Sequence, residues 1–216
     1  MDMNFSVFQE PRGVMRILQF IFAICAFATT CNFSGFIDFM CRTPFRYNFD
    51  YPFSLLLNKE LNLVEKADCH ARITLSANFE SDVKFFVATG VIAMLYCLAI
   101  CVVYTKFDEL YKNNNQIPLV DFLLSVFIAV LWLSSSACWA NSLSGMKHTT
   151  DPENMIWTGN TDACPKCPSS VSSFNSLNIS VILGFLNFFL WAADLWFLYK
   201  ETPWFQNARI SSPVDA

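Results

Sequence analysis

Four cysteines stand in polar stretches of this 216-residue chain: Cys41, Cys69, Cys164 and Cys167, the last two as Cys164-Pro-Lys-Cys167. A C-x-x-C pair can do thiol redox chemistry or supply half of a zinc site. Zinc needs a second pair of ligands, and His70 and His148 are lone residues without ligand spacing. A redox motif wants a thioredoxin-like βαβ setting, which is missing here. Disulfide formation is the simpler chemistry. Four cysteines allow three connectivities, of which Cys41–Cys69 with Cys164–Cys167 needs no contact between the two stretches and is the expected one. Closing the 27 intervening residues of the first stretch is worth roughly 2–4 kcal/mol in the chain-entropy picture.

The second group that could do chemistry is Asp121 and Asp194, carboxylates inside long apolar runs. An ionisable residue in a membrane invites a proton- or ion-pathway reading. Both lie near the ends of their runs, so the plainer expectation is a pair of interfacial, hydrated carboxylates. Asn187, nearer the middle of its run, is expected to make an interhelical hydrogen bond. No His/Cys/carboxylate constellation occurs within the apolar runs, so no catalytic residue, metal or cofactor is expected.

The elements that carry these residues are membrane spans. The chain is 54% hydrophobic and only 15% charged, with 23 phenylalanines, against about 25% charged in soluble domains. A net charge of −4 and the lack of any basic patch argue against a nucleic-acid partner. Four apolar stretches, 17–35, 85–104, 119–140 and 179–199, are each long enough to cross a ~30 Å hydrocarbon layer at 1.5 Å per residue. They leave a polar N-terminus (1–16), a first loop (36–84), a connector (105–118), a second loop (141–178) and a short tail (205–216). The spans and their loops, 17–204, form one unit. Phe45–Leu55 and Ala71–Phe79 alternate apolar and polar residues, as short strands do. A cleaved signal peptide is the rival reading of the first stretch, with Arg12, Arg16 and Ala26-Phe27-Ala28, but apolar character continues through Phe33 and Phe36. The fold class is an all-α, four-transmembrane-helix bundle with a disulfide in each loop and short strands in the first.

Orientation follows from the cysteines. All four loop cysteines fall on one side of the membrane, which places both loops in an oxidising compartment and both termini in the cytosol; the Lys and Arg distribution adds little. Small residues, Ala23, Ala26 and Thr30 in the first span and Ser125, Ala129 and Ser136 in the third, are candidates for close helix packing. Trp191, Trp196, Tyr199, Trp204, Tyr104 and Tyr111 read as an interfacial aromatic belt. Val102-x-Tyr104-x-Lys106 fits a loose sterol-contact pattern. Sequons occur at Asn4, Asn32 and Asn178, and Asn178 is the candidate glycosylation site.

Longer blocks carry a resemblance. ILQFIFAICAFATTCNFSG, NNNQIPLVDFLL, WLSSSACWANSLSGMK, TDPENMI and GFLNFFLWAADLWFLYKETPWF resemble, in order, the synaptophysin family within the wider MARVEL-domain group. The likeness runs from about Glu10 to Trp204, and the loop cysteine pairs stand where that family places one disulfide in each lumenal loop. The resemblance implies a multi-pass protein of synaptic or related secretory vesicles with cytosolic termini. It further implies association with the vesicle SNARE synaptobrevin, cholesterol binding, self-assembly into homo-oligomers, and roles in vesicle biogenesis, exocytosis and recycling. Two features depart from the family. No tyrosine follows Tyr199, so functions of a tyrosine-rich tail are not expected, and the middle of the first loop lacks the family's sequon. A non-enzymatic membrane organiser is the leading expectation, with an oligomeric channel or transporter subunit as the alternative.

Overall fold

A computed structural model of the chain describes residues 10–41, 43–62, 70–106, 116–159 and 167–201. Four helices dominate: α1 (Pro11–Cys31), α2 (Glu80–Lys106), α3 (Gln116–Thr150) and α4 (Asn175–Glu201). All four are long and apolar enough to cross a membrane, with mean hydropathy between 1.8 and 2.6 over their best windows. The four-helix transmembrane fold expected from the sequence is the one observed.

The helix ends have local causes. Pro11 occupies the first helical position of α1, where its missing N–H leaves nothing unpaired, and the Glu10 carbonyl accepts from Gly13 and Val14. α1 therefore starts six residues before the apolar run, which brings Arg16 inside the helix. It stops at Cys31, and Ser34–Phe39, partly assigned to the first span above, is instead strand β1. Asn78 accepts from the Glu80 N–H at the start of α2, whose first turn holds Glu80 and Asp82 and whose last holds Lys106, matching the helix dipole. α3 continues past Ala140 to Thr150, so ten residues assigned above to the second loop are helical. Asp151 then turns the chain, accepting from the Glu153 and Asn154 N–H groups.

Five further strands follow β1: β2 (Phe45–Asp50), β3 (Ser54–Asn62), β4 (His70–Asn78), β5 (Ile156–Gly159) and β6 (Ser169–Val171). They form two antiparallel three-stranded sheets, ordered β2-β1-β6 and β3-β4-β5. Each sheet thus combines strands from both loops. The single strand expected over Phe45–Leu55 is broken by a turn in which the Phe53 N–H donates to Asp50. Tyr51-Pro52 is cis and Phe53 has φ 62°. That unfavourable backbone angle is held by the burial of the Phe53 ring, stacked on Trp139 at 5.6 Å.

The described residues divide into two compact units, and each helix contributes to both. A helical unit contains the described residues of 1–27, 88–136 and 182–216; a strand-bearing unit contains those of 28–87 and 137–181. The strand-bearing unit absorbs much of the phenylalanine. Phe33 lies 6.3 Å from Phe49, 6.0 Å from Phe53 and 6.1 Å from Phe174. Trp139 adds a hydrogen bond from its ring N–H to Ser180 at 3.0 Å. Gly35 faces Phe49 across the β1–β2 pair, and a Cβ there would come within 2.5 Å of the Phe49 ring.

Cys41 follows β1, Cys167 precedes β6, and the two form a disulfide with Cα atoms 5.0 Å apart. The local pairing Cys41–Cys69 with Cys164–Cys167 is thereby corrected. The physical cause is the antiparallel β1–β6 ladder, extended by a bond from the Met40 N–H to the Pro168 carbonyl. It brings together cysteines 126 positions apart in sequence. Cys69 and Cys164 lie outside the described residues.

Candidate functional site: an ion cluster inside the helical unit

One face of α1 carries Arg12, Arg16, Gln19, Ala23, Ala26 and Thr30, spaced three or four apart and all buried. Arg16 is 0% exposed, and its guanidinium reaches two other helices. Nη2 donates to Asp121 Oδ1 and to Ser125 Oγ of α3, each at 2.8 Å. Nη1 lies 3.1 Å from Asp194 Oδ2 of α4 and donates to Gln19 Oε1 at 3.0 Å. Gln19 in turn donates to Asp194 Oδ2 at 3.1 Å. Helix α2 closes the cluster. Tyr96 donates to Asp121 Oδ1 at 2.6 Å, and the Tyr104 hydroxyl donates to Asp121 Oδ2. The guanidinium also lies near two aromatic rings, 5.4 Å from the centre of Tyr96 and 5.0 Å from that of Trp191.

Asp121 and Asp194 are 2% and 0% exposed, so the expectation of hydrated interfacial carboxylates does not hold. Charges this deep are stable only when paired and hydrogen-bonded, and Arg16 supplies the pairing. Counting from Pro11, Arg16 lies about 7.5 Å along α1 at 1.5 Å per residue, and Asp121 lies as far along α3 from Gln116. The cluster belongs to one end of the four helices rather than to their middle. It is the feature that the sequence reading missed, because the first span was begun at Ile17. The available signal was the heptad-like continuation of Ala23, Ala26 and Thr30 back through Gln19 to Arg16.

The other sequence candidates fall as follows. Ala23, Ala26, Thr30, Ser125 and Ser136 are 0% exposed and Ala129 4%, all covered by this chain itself. Tyr104 is fully buried while Val102 is 49% exposed and Lys106 is exposed, so the three do not share one surface. Trp191 is buried against Arg16, whereas Trp196 and Tyr199 are outward and stacked on each other, with Lys200 over Trp196. Tyr111 and Trp204 lie outside the described residues, as does Asn4. Asn187 donates to the Leu183 carbonyl of its own helix rather than across helices. Asn178 sits within α4 and accepts from Lys147, and the Ser180 of its sequon is buried with its hydroxyl bonded to Leu177. Asn32 is exposed just after α1.

No described group of three or more His, Cys, Asp or Glu side chains is placed to hold a metal. What the cluster can do is electrostatic: it fixes α1 against α2, α3 and α4 through partners that each helix lacks by itself.

A family model for the MARVEL membrane-associating domain matches residues 8–197, nearly the whole chain. The chain belongs to the MARVEL family. The match spans all of α1, α2 and α3 and most of α4, including every residue of the ion cluster. This MARVEL protein is therefore an integral, multi-pass membrane protein, and its ion cluster is part of the MARVEL domain itself.

Proposed function

We propose that this MARVEL protein is a non-enzymatic organiser of synaptic or related secretory-vesicle membrane, with both termini cytosolic and both loops lumenal. Its partners on this reading are the bilayer with its cholesterol, a synaptobrevin-like vesicle SNARE, and further copies of itself, and its roles are in vesicle biogenesis, exocytosis and recycling. The family match supports the membrane setting; the resemblance of the sequence blocks to synaptophysins is what suggests the vesicle. One observation carries the choice of organiser over channel. The buried carboxylates of the helical unit, Asp121 and Asp194, are both paired with buried Arg16, while the outward faces carry large apolar side chains, as with Phe127 and Val130 of α3 and Ile182 and Phe189 of α4. A conducting path needs a continuous polar lining, whereas lateral association of helices needs packing surface in lipid. Because the small-residue stripes are used within the chain, partner contact falls to those outward faces.

Crosslinking in native vesicles followed by identification of the attached proteins tests this reading. Recovery of a vesicle SNARE and of self-adducts is the expected result; recovery of neither contradicts it. Reconstitution in planar bilayers tests the alternative, since a reproducible, ion-selective conductance would make the protein a channel subunit.

A further inference from the structure

Among the buried polar atoms of the helical unit that meet no hydrogen-bond partner in the described residues, three stand out: Ser136 Oγ of α3, and Asn187 Oδ1 and Trp191 Nε1 of α4. All three residues are 0% exposed. Polar groups this deep cost free energy unless something bonds them. A helical serine has a ready acceptor in the turn before it. Ser134 donates to the Val130 carbonyl at 2.7 Å and Ser135 to that of Trp132 at 3.5 Å, yet the neighbouring Ser136 takes no such bond. Asn187 gives its Nδ2 to the Leu183 carbonyl, which leaves Oδ1 as an acceptor. Trp191 packs its ring beside Arg16 and Tyr96, which leaves its N–H as a donor.

The ion cluster fixes the depth of these groups. Arg16 reaches both Ser125 of α3 and Asp194 of α4, which sets those two at one level. Successive spans run antiparallel, so both helices lead from that level in the same direction. Ser136 then lies ~16 Å and Asn187 ~10 Å beyond it at 1.5 Å per residue. Side chains lean toward the N-terminus of their own helix. Ser136 therefore leans back toward the cluster, while Asn187 and Trp191, one turn apart on α4, lean away from it. The three polar groups converge. The bond from Gln19 to Asp194 sets α1 in the same way and brings Ala23 and Ala26, both fully buried, to the depth of Trp191 and Asn187. Methyl side chains there leave space that longer ones would fill.

We propose that a single water molecule is bound between α3 and α4, accepting from the Ser136 hydroxyl and the Trp191 N–H and donating to Asn187 Oδ1. Three bonds are the usual complement of a buried water. The water supplies, at one remove, the contact between helices that the Asn187 side chain does not make directly. The site rests on the helical unit alone, and it stands or falls apart from the vesicle role.

The test uses the full-length protein in phosphatidylcholine nanodiscs, with water itself as the probe. A short X-ray pulse splits water into hydroxyl radicals where the water stands, and mass spectrometry maps the oxidised side chains. Trp191 should be oxidised despite its burial. Asn187→Leu should lower that oxidation several-fold relative to Trp196, 58% exposed, in the same sample. Ser136→Ala, which deletes one oxygen, should lower it in the same direction. Misfolding would uncover Trp191 and raise its oxidation, so it does not mimic the expected result. Absence of Trp191 oxidation in the unmodified protein, as a direct Ser136–Asn187 bond would give, overturns the proposal. So does oxidation that is unchanged or raised in both variants.

Discussion

The helical unit and the strand-bearing unit are held by opposite means. In the first, a buried ion cluster ties the helices together: Arg16, Gln19, Tyr96, Tyr104, Asp121, Ser125 and Asp194 bond across all four. In the second, rings pack on rings, two small sheets pair strands from both loops, and Cys41–Cys167 closes the ladder covalently. The difference follows from the solvent. Lipid is as apolar as leucine, so burial of apolar surface does not drive helix association in a membrane, and polar contacts specify which helices meet. Where water is present, burial of phenylalanine and tryptophan stabilises by itself.

The largest effect should come from breaking the ion cluster on one side only. Arg16→Met leaves two carboxylates buried without their cation, and removal of one partner of a buried pair costs about 3–5 kcal/mol. The thermal unfolding midpoint in detergent should fall sharply, and Asp121→Ala should act alike. Next comes the strand-bearing unit's covalent tie. Replacing Cys41 and Cys167 by Ser should cost about 2–5 kcal/mol and leave the ion cluster intact. Non-reducing peptide mapping of the native protein should recover a Cys41–Cys167 peptide, and a Cys41–Cys69 peptide would contradict the sheet topology. A smaller loss is expected for Gly35→Ala, because the added Cβ collides with the Phe49 ring; overpacking of this kind costs about 1–3 kcal/mol, read as a lower midpoint for the strand-bearing unit.

The smallest effect concerns pH. Arg46 donates to both oxygens of Asp38 at 2.6 and 2.7 Å across the β1–β2 pair, and this hydrogen bonding holds the Asp38 carboxyl below its usual range. A lowered folded-state value contributes stability that is present above the ordinary aspartate value of about 3.9. That contribution is lost as pH falls through the lowered value. Both side chains are solvent-accessible, so the loss is small. It should vanish in Asp38→Asn, as seen by comparing the two proteins' unfolding midpoints on acidification.

Much of the helical fold was legible in the sequence because a membrane span is a local signal: some twenty apolar residues announce themselves without reference to anything distant. The strands within Phe45–Leu55 and Ala71–Phe79 were legible by alternation, though not the break at Tyr51-Pro52. Strands β5 and β6, of four and three residues, are too short to show a period of two. The disulfide pairing was misread because it depends on β1 meeting β6, a long-range ladder that no local rule contains. The ion cluster was half legible. Asp121 and Asp194 stood out as carboxylates in apolar runs, but their cation lay one residue before the first apolar run and was assigned to the polar N-terminus. A buried pair is invisible until the helix that supplies its second member is drawn to its true start.

The most direct test of the account compares Arg16→Met with the neutral triple variant Arg16→Met/Asp121→Asn/Asp194→Asn in the same detergent. If the cluster holds the helices together by mutual pairing of buried charge, the single variant loses most of its stability. The triple variant, with no uncompensated charge, then recovers the greater part of the lost midpoint. If Arg16→Met unfolds at the midpoint of the unmodified protein, or the triple variant is less stable than the single one, the cluster does not play the part assigned to it.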